Sequence, residues 1–443
     1  MKNRNQTSVS LALLLFTILP TVLFCQKNTS AAIEKYMQAQ LEINNFSGTV
    51  LVSKNDTVLF KKAYGFADYE QKIKNTIDTK FQLASVTKQF TAAAILQLVQ
   101  EGKLSLNDPL SRFIPDYPKA NQVTIHMLLS HLSGLAMGFK NIATSTMSAD
   151  SAYNEIKKMP YEFEPGSNTA YSNIGYYLLA KIIESVSGEK YSTYLQEHVF
   201  EKAGMYNSGV IRNDALIPNK AKNYIKEQDR YVSNPYINWD INYGHDGVYA
   251  TVEDLAIWDK ALYGTTLLSE KMKQLMFTPY NTQNWGYGFV INPFYNHGHE
   301  LIAHDGGFFG AMTSFNRFTK DRLLVTVLSN NESLSHIIAY GLSALVFQKE
   351  VTLPYKHKKI KANPSNYKHY TGQFGTIEII KIGNKLYYNS MELELIPESK
   401  TKFFRSDDND RTVEFLADKN GNYNSIVVTK GGVKEIFTKN NPN

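Results

Sequence analysis

What most limits the fold of this 443-residue chain is the order in which its hydrophobic period changes. In FSGTVLVSKNDTVLFKKAYGFAD (46–68), β-branched and aromatic residues alternate around the turn Ser53-Lys54-Asn55-Asp56, which predicts a β-hairpin. In SVTKQFTAAAILQLVQEG (85–102) the apolar spacing becomes helical, and Gly102 supplies a stop. A mostly helical middle runs from about 105 to 280 and includes NIGYYLLAKIIESVSG (173–188) and TVEDLAIWDKAL (251–262). Strand patterns return at GYGFVI (286–291), AMTSFNRF (311–318) and RLLVTVLSN (322–330), ahead of a helical SHIIAYGLSALVFQ (335–348). Strands at both ends of a helical middle imply one sheet built from distant segments, with helices segregated beside it. The predicted class is therefore α+β rather than a βαβ alternation.

The pattern lapses at VTLPYKHKKIKANPS (351–365), where two prolines and a run of lysines read as a linker, placed at 351–362. Beyond it, turn sequences recur at short intervals: IGNKL (382–386), IPESK (396–400), SDDND (406–410), DKNGN (418–422) and TKGG (429–432). This spacing without helices predicts a small all-β domain over 363–443, an antiparallel sheet or barrel.

At the other end, Lys2 and Arg4 precede LALLLFTILPTVLF (11–24), too short a run to span a membrane and placed like the apolar core of a signal peptide. The expectation is a signal peptide over 1–25 and an exported protein, periplasmic or secreted, whose mature chain has no membrane span. The single cysteine, Cys25, falls where cleavage is expected, but bulky Phe24 before it disfavours lipid modification there. A net charge of +6 without clustered basic and aromatic residues gives nucleic-acid binding no support. The expected partner is a small-molecule or peptide substrate; oligomeric state is not legible.

Three clusters carry candidate chemistry. Ser85 and Lys88 stand three residues apart at a predicted helix start. They share a face there, and the helix dipole favours developing negative charge at the hydroxyl. A serine hydroxyl needs a base to become a nucleophile, and a buried lysine can lose its proton by desolvation. The same spacing also fits Ser85 as a helix cap and Lys88 as a solvated residue. In the second cluster, Tyr171 and Asn173 precede a helix on a loop. They read either as a proton carrier and a hydrogen-bond donor to lysine and substrate, or as a part-buried aromatic and an N-cap. In the third, His304 meets Gly306 and Gly307 in LIAHDGGFFGAMTSF (301–315). Glycine there permits close approach of a ligand to backbone, or simply makes a bulge or turn. The Gly307 amide is a candidate oxyanion donor beside that of Ser85, such donors being worth about 3 kcal/mol each. Zinc ligation by His297, His299 and His304 was weighed against these and is disfavoured, because PFYNHGHE reads as a turn and no further ligand completes the set.

Together, Ser85-Val86-Thr87-Lys88, Tyr171-Ser172-Asn173 and His304-Asp305-Gly306 resemble the penicillin-recognising serine hydrolases. That group holds class C β-lactamases, serine DD-peptidases, D-aminopeptidases and related esterases. The resemblance spans about 30 to 350 and continues through GKLSLNDPL (102–110), VTIHMLLSHLSGL (123–135), VFEKAGM (199–205) and GVYATVEDLAIW (247–258). It implies a transpeptidase-like domain, an antiparallel sheet flanked by helices with a helical subdomain. It also implies catalysis by Ser85, Lys88 and Tyr171, with Asn173, His304, Gly306 and Gly307 binding substrate and no cofactor or metal. Most β-lactamases of the group carry lysine at the place of His304. Histidine, with a reference pKa near 6.5, favours a peptidase or esterase acting on a D-amino-acid peptide or ester. The alternatives are a class C-like β-lactamase and, from another class, a silent protein that binds cell-wall peptides. His131 is expected to be structural, and Asp246 to lie near the cleft and touch substrate.

Overall fold

The computed structural model describes residues 28–138, 140–228 and 230–440. The expected signal segment and Cys25 lie outside them. None of the described helices is long and apolar enough to cross a membrane. The chain divides into two compact units, Phe46–Ala339 and a second that joins the residues up to Asn45 with those from Tyr340 onward.

The first unit is built on the predicted hairpin. Strands β1 (Gly48–Lys54) and β2 (Thr57–Tyr64) turn at Asn55 and Asp56, both at positive φ, which asparagine and aspartate tolerate better than most residues. Strand β3 (Phe81–Gln82) leads through a 3₁₀ turn, Ala84–Thr87, into helix α1 (Lys88–Gln100). Residues 88–98 of this helix are buried all round, so its apolar residues need no single face and Ala92, Ala93 and Ala94 admit close neighbours. Helix α2 (Asn173–Ser187) packs against it; Ser172 caps α2 by accepting from the Gly175 amide, and Gly188, at φ 77°, closes it. Strands β4 (Gly209–Val210) and β5 (Val248–Ala250) complete a small sheet in the order β3-β5-β4, and helix α3 (Val252–Ala261) follows under a Thr251 cap.

Late in the unit come β6 (Val290–Ile291), β7 (Leu301–Phe308), β8 (Ala311–Phe318) and β9 (Leu323–Ser329). The main sheet runs β6-β7-β8-β9-β1-β2, antiparallel throughout, with Gly48 opposite Ser329 and Lys54 opposite Leu323. The sheet is thus closed by pairing the first strand of the unit with its last. Every residue of β9 is buried, which is why RLLVTVLSN reads as a continuous apolar run rather than an alternating one. Of GYGFVI only Val290 and Ile291 form strand.

In the second unit, a helix over residues 28–44 belongs with eight strands that follow one another in sequence order, each antiparallel to the next. A bridge between Phe374 and Lys439, with bonds from the Gly375 amide to Thr438 O and the Asn440 amide to Gln373 O, joins the ends into a barrel. Phe374, Leu386, Phe403, Val413 and Ile426 fill it. The N-terminal helix is fastened through Asp410. Gln40 Nε2 donates to Asp410 Oδ2 at 2.6 Å, and Asn44 Nδ2 to Oδ1 at 2.8 Å. The compact-unit boundaries at Phe46 and Ala339 therefore fall inside the 30–350 span read from the sequence.

Candidate active site

Ser85 sits in the 3₁₀ turn ahead of α1, so Lys88 is the first residue of the helix proper. Ala84, immediately before the serine, adopts φ 47°, a left-handed conformation costly for a residue with a Cβ. The turn is held from several sides: the Leu83 amide donates to Val248 O at 2.8 Å, and the Val248 amide donates to Thr87 Oγ1 at 3.0 Å.

Lys88 is fully buried, and its Nζ donates to Ser85 Oγ at 3.1 Å and to His245 O at 3.1 Å. The ammonium also lies 4.8 Å from the Tyr171 ring centre and 5.7 Å from that of Tyr176. Burial pushes its pKa down to about 8, opposed by the charge of Asp246. Ser85 Oγ in turn donates to Asp246 Oδ1 at 3.2 Å, so the hydroxyl is set between an ammonium and a carboxylate. His245 Nε2 stands 3.3 Å from the other Asp246 oxygen, and burial holds this imidazole down at about 4.

Tyr171 lies on the loop before α2, where His131 orients it. The two rings sit 4.6 Å apart, and His131 Nδ1 accepts from the Ser172 amide at 3.1 Å. That bond places the His131 proton on Nε2. Tyr171 Oη is buried with no hydrogen-bond partner among the described residues. Burial, and then the charge of Asp246, push this phenol well above 10, with the nearby Ser85 hydroxyl acting the other way. Asn173 opens α2 but does not cap it; Ser172 does, because its hydroxyl reaches the Gly175 amide at 3.1 Å. The Asn173 side-chain oxygen is left buried and without a partner.

His304, on β7, has its ring 6.3 Å from that of Tyr171 and 5.5 Å from that of Trp285. Its Nδ1 stands 2.6 Å from Asp305 O, so Nδ1 carries the proton, and Nε2 is a buried acceptor without a partner. Burial, and next the Lys88 charge, drive this histidine down to about 3. Gly306 faces the serine turn: a Cβ there would stand 2.4 Å from Leu83 O and 2.3 Å from Thr313 Oγ1. The third cluster is therefore strand pressed against a turn, not a bulge. Asp305 points to the opposite face, where Ser314 and Tyr295 donate to its carboxylate. Of the histidines weighed for zinc, His299 is turned to Asp321 Oδ2 at 2.8 Å while His304 is buried beside Tyr171.

The structure thus gathers Ser85, Lys88, Tyr171 and His304, with Asn173 two residues from Tyr171 and Gly307 next to Gly306. It adds Asp246 in a role the sequence did not supply, since that carboxylate meets the nucleophile candidate itself. Polar His245 and Asp246 between Gly244 and Gly247 were the available signal. Trp285 and Tyr176, whose rings both pack on His131, were not among the residues the sequence marked.

A family model described as Beta-lactamase matches residues 31–343. The chain belongs to the beta-lactamase family. Penicillin-binding protein 4* of Bacillus subtilis (strain 168) is 30% identical over 404 residues, covering 82% of this chain and 88% of that protein. A penicillin binding protein from Bacillus halodurans superimposes with TM-score 0.63 at 31% identity, over 71% of this chain and 98% of its own. The penicillin-binding protein homologue from Pyrococcus abyssi shares the fold across 92% of this chain and 99% of its own, with TM-score 0.67 and 24% identity. Members of the beta-lactamase family with this fold are serine hydrolases, and this chain is one of them.

Proposed function

We propose that the protein is exported and hydrolyses an amide or ester through an acyl intermediate on Ser85. The observation that carries this reading is the hydrogen bond of a fully buried lysine, with a pKa near 8, to a serine hydroxyl 3.1 Å away. In the reaction, Ser85 Oγ gives its proton to the Lys88–Tyr171 pair and attacks the substrate carbonyl carbon. The negative charge that forms on oxygen is met by the Ser85 and Gly307 amides. The C–N or C–O bond then breaks, the leaving group takes a proton from the Lys88–Tyr171 pair, and water repeats the sequence on the acyl-serine. Asn173, His304 and Gly306 line the substrate's path. Export rests on Lys2, Arg4 and the apolar run that follows.

The neutral His304 bears on the substrate. With its proton on Nδ1 and its pKa near 3, it offers a lone pair and no charge, so it suits a hydrogen-bond donor better than a carboxylate. This favours peptides, amides or esters of D-amino acids over β-lactams that rely on a fixed cation there.

The names of the Bacillus relatives recommend penicillin as a probe. A fluorescent penicillin or fluorophosphonate is expected to label the wild type covalently and to leave Ser85→Ala unlabelled, with the Tm of the two within a few degrees. Nitrocefin, a p-nitrophenyl ester and a D-alanyl p-nitroanilide, assayed side by side, then sort the substrate. Turnover dominated by nitrocefin would make the protein a β-lactamase, and labelling that survives Ser85→Ala would remove this serine from the mechanism.

A further inference from the structure

Beside the serine turn lies a cavity of about 460 Å³, lined by Gln82, Asn223, Asn234, Lys220 and Trp239 among others. It adjoins the proposed active site at two points. Gln82 ends the strand that leads into the Ser85 turn. The Trp239 ring is 6.3 Å from that of Phe308, the residue after Gly307. Since His304 precedes Gly307 on the same strand and Phe308 follows it, the cavity is on the far side of the oxyanion position from His304.

The cations around this cavity differ in one respect. Arg212 is paired with Asp214, at 2.9 Å, and Lys222 with Asp68, at 2.7 Å. Lys220 is half-buried, and among the described residues the one hydrogen bond of its ammonium goes to Ala221 O at 3.3 Å. Burial alone drives its pKa down to about 8, with no carboxylate opposing. A second observation concerns Gln82, which is 1% exposed. Its Oε1 accepts from Asn223 Nδ2 at 2.7 Å, which fixes the amide, while its Nε2 is buried without a partner. An ammonium without a counter-ion and an unmet N–H donor on two residues that line the same cavity form a set of donors for an anion.

From this geometry we propose that the cavity binds a carboxylate on the acyl part of the substrate, with Lys220 supplying the charge and Gln82 a hydrogen bond. The substrate would then be an acyl-D-amino-acid amide or ester whose acyl group carries an acid several bonds from the scissile carbonyl. This rests on the hydrolase reading for the placement of the acyl part, but the pocket itself can be read without turnover.

The test compares N-succinyl- and N-glutaryl-D-alanyl p-nitroanilides with their uncharged N-butyryl and N-valeryl counterparts. In parallel, the free N-succinyl- and N-butyryl-D-alanines are titrated by tryptophan fluorescence, with Trp239→Phe identifying the reporting ring. Wild type is expected to prefer the acidic cap by roughly ten-fold or more, through KM and the dissociation constant rather than kcat. Lys220→Met should abolish the preference while leaving the uncharged substrates unchanged, and Lys220→Arg should retain part of it. Equal binding of both caps by wild type, or a preference that survives in Lys220→Met, would overturn the proposal. So would inorganic phosphate binding as tightly as N-succinyl-D-alanine, since the cavity would then hold a free anion. If the titration shows the preference but no p-nitroanilide is hydrolysed, the cavity assignment stands and the hydrolytic reading is what fails.

Discussion

Lys88 stands between two opposing influences. Burial favours the neutral amine that could take a proton from Ser85, while the carboxylate 3.2 Å from the same hydroxyl favours the ammonium. If neutral Lys88 is the base, kcat/KM rises with pH through an apparent value near 8. Asp246→Asn removes the negative charge that raises this pKa, so the rising limb should move to lower pH, with a lower plateau because Ser85 Oγ loses a charged acceptor. A pH–rate profile of the variant checks this, and an unmoved limb would assign the base elsewhere. The histidines carry a second expectation. His245 and His304 are buried and held near 4 and 3, so the unfolded chain binds more protons as pH falls below about 6.5. Stability contributed by keeping them neutral is full above pH 7 and is lost on acidification, by about 2 kcal/mol for each at pH 5. Urea unfolding at pH 7.5 and 5 should show the loss, and His304→Asn should reduce it.

At the scale of elements, the site depends on how closely β7 lies on the serine turn. A methyl group at Gly306 would overlap Leu83 O, which cannot withdraw without moving the turn, and Thr313 Oγ1, which is held by its hydrogen bond to that same carbonyl. Gly306→Ala is expected to cost roughly 2–3 kcal/mol and at least a hundred-fold in turnover. Gly307→Ala would meet only the flexible end of Met312, 3.3 Å away, and should fold normally. Comparable melting temperatures for the two variants would count against this account. The same scale explains what the sequence disclosed. The helices at 88–100, 173–187 and 252–261 and the strands at 311–318 and 323–329 were readable because period and end signals agree there. All five turn sequences named beyond residue 365 separate strands, since each holds residues that tolerate tight turns. GYGFVI misled because its glycines and aromatics serve packing beside α1, where a Cβ on Gly288 would come within 2.7 Å of Lys88 O. Asp246 was found by neighbourhood but not by role, because no local spacing links it to a serine 161 residues away. The Asn173 cap failed by one residue, since a hydroxyl at 172 fits the first-turn amide.

For the whole molecule, the informative piece is the helix over 28–44. Its residues are bonded to Asp410, a half-buried carboxylate whose pKa desolvation raises and whose two oxygens accept from Gln40 and Asn44. A chain beginning at Phe46 would remove both Asp410 donors and the Tyr36 bond to Gly431 O, at a cost of about 1–3 kcal/mol to the barrel. Calorimetry should then show the barrel melting in a separate, earlier transition; a melting profile unchanged by the truncation would mean that the helix contributes nothing to it.

This arrangement also has a consequence in time. The helix leaves the ribosome well before the residues that fasten it, which are more than 360 positions later. At roughly 5–20 residues per second, it waits about 20–70 s for them. During that interval Tyr36, buried in the finished protein, has no cover of its own. The early helix and the late strands are obliged to find each other across more than 360 residues of synthesis, so a chain released between them by a premature stop carries an uncovered apolar helix face as the mark of its incompleteness.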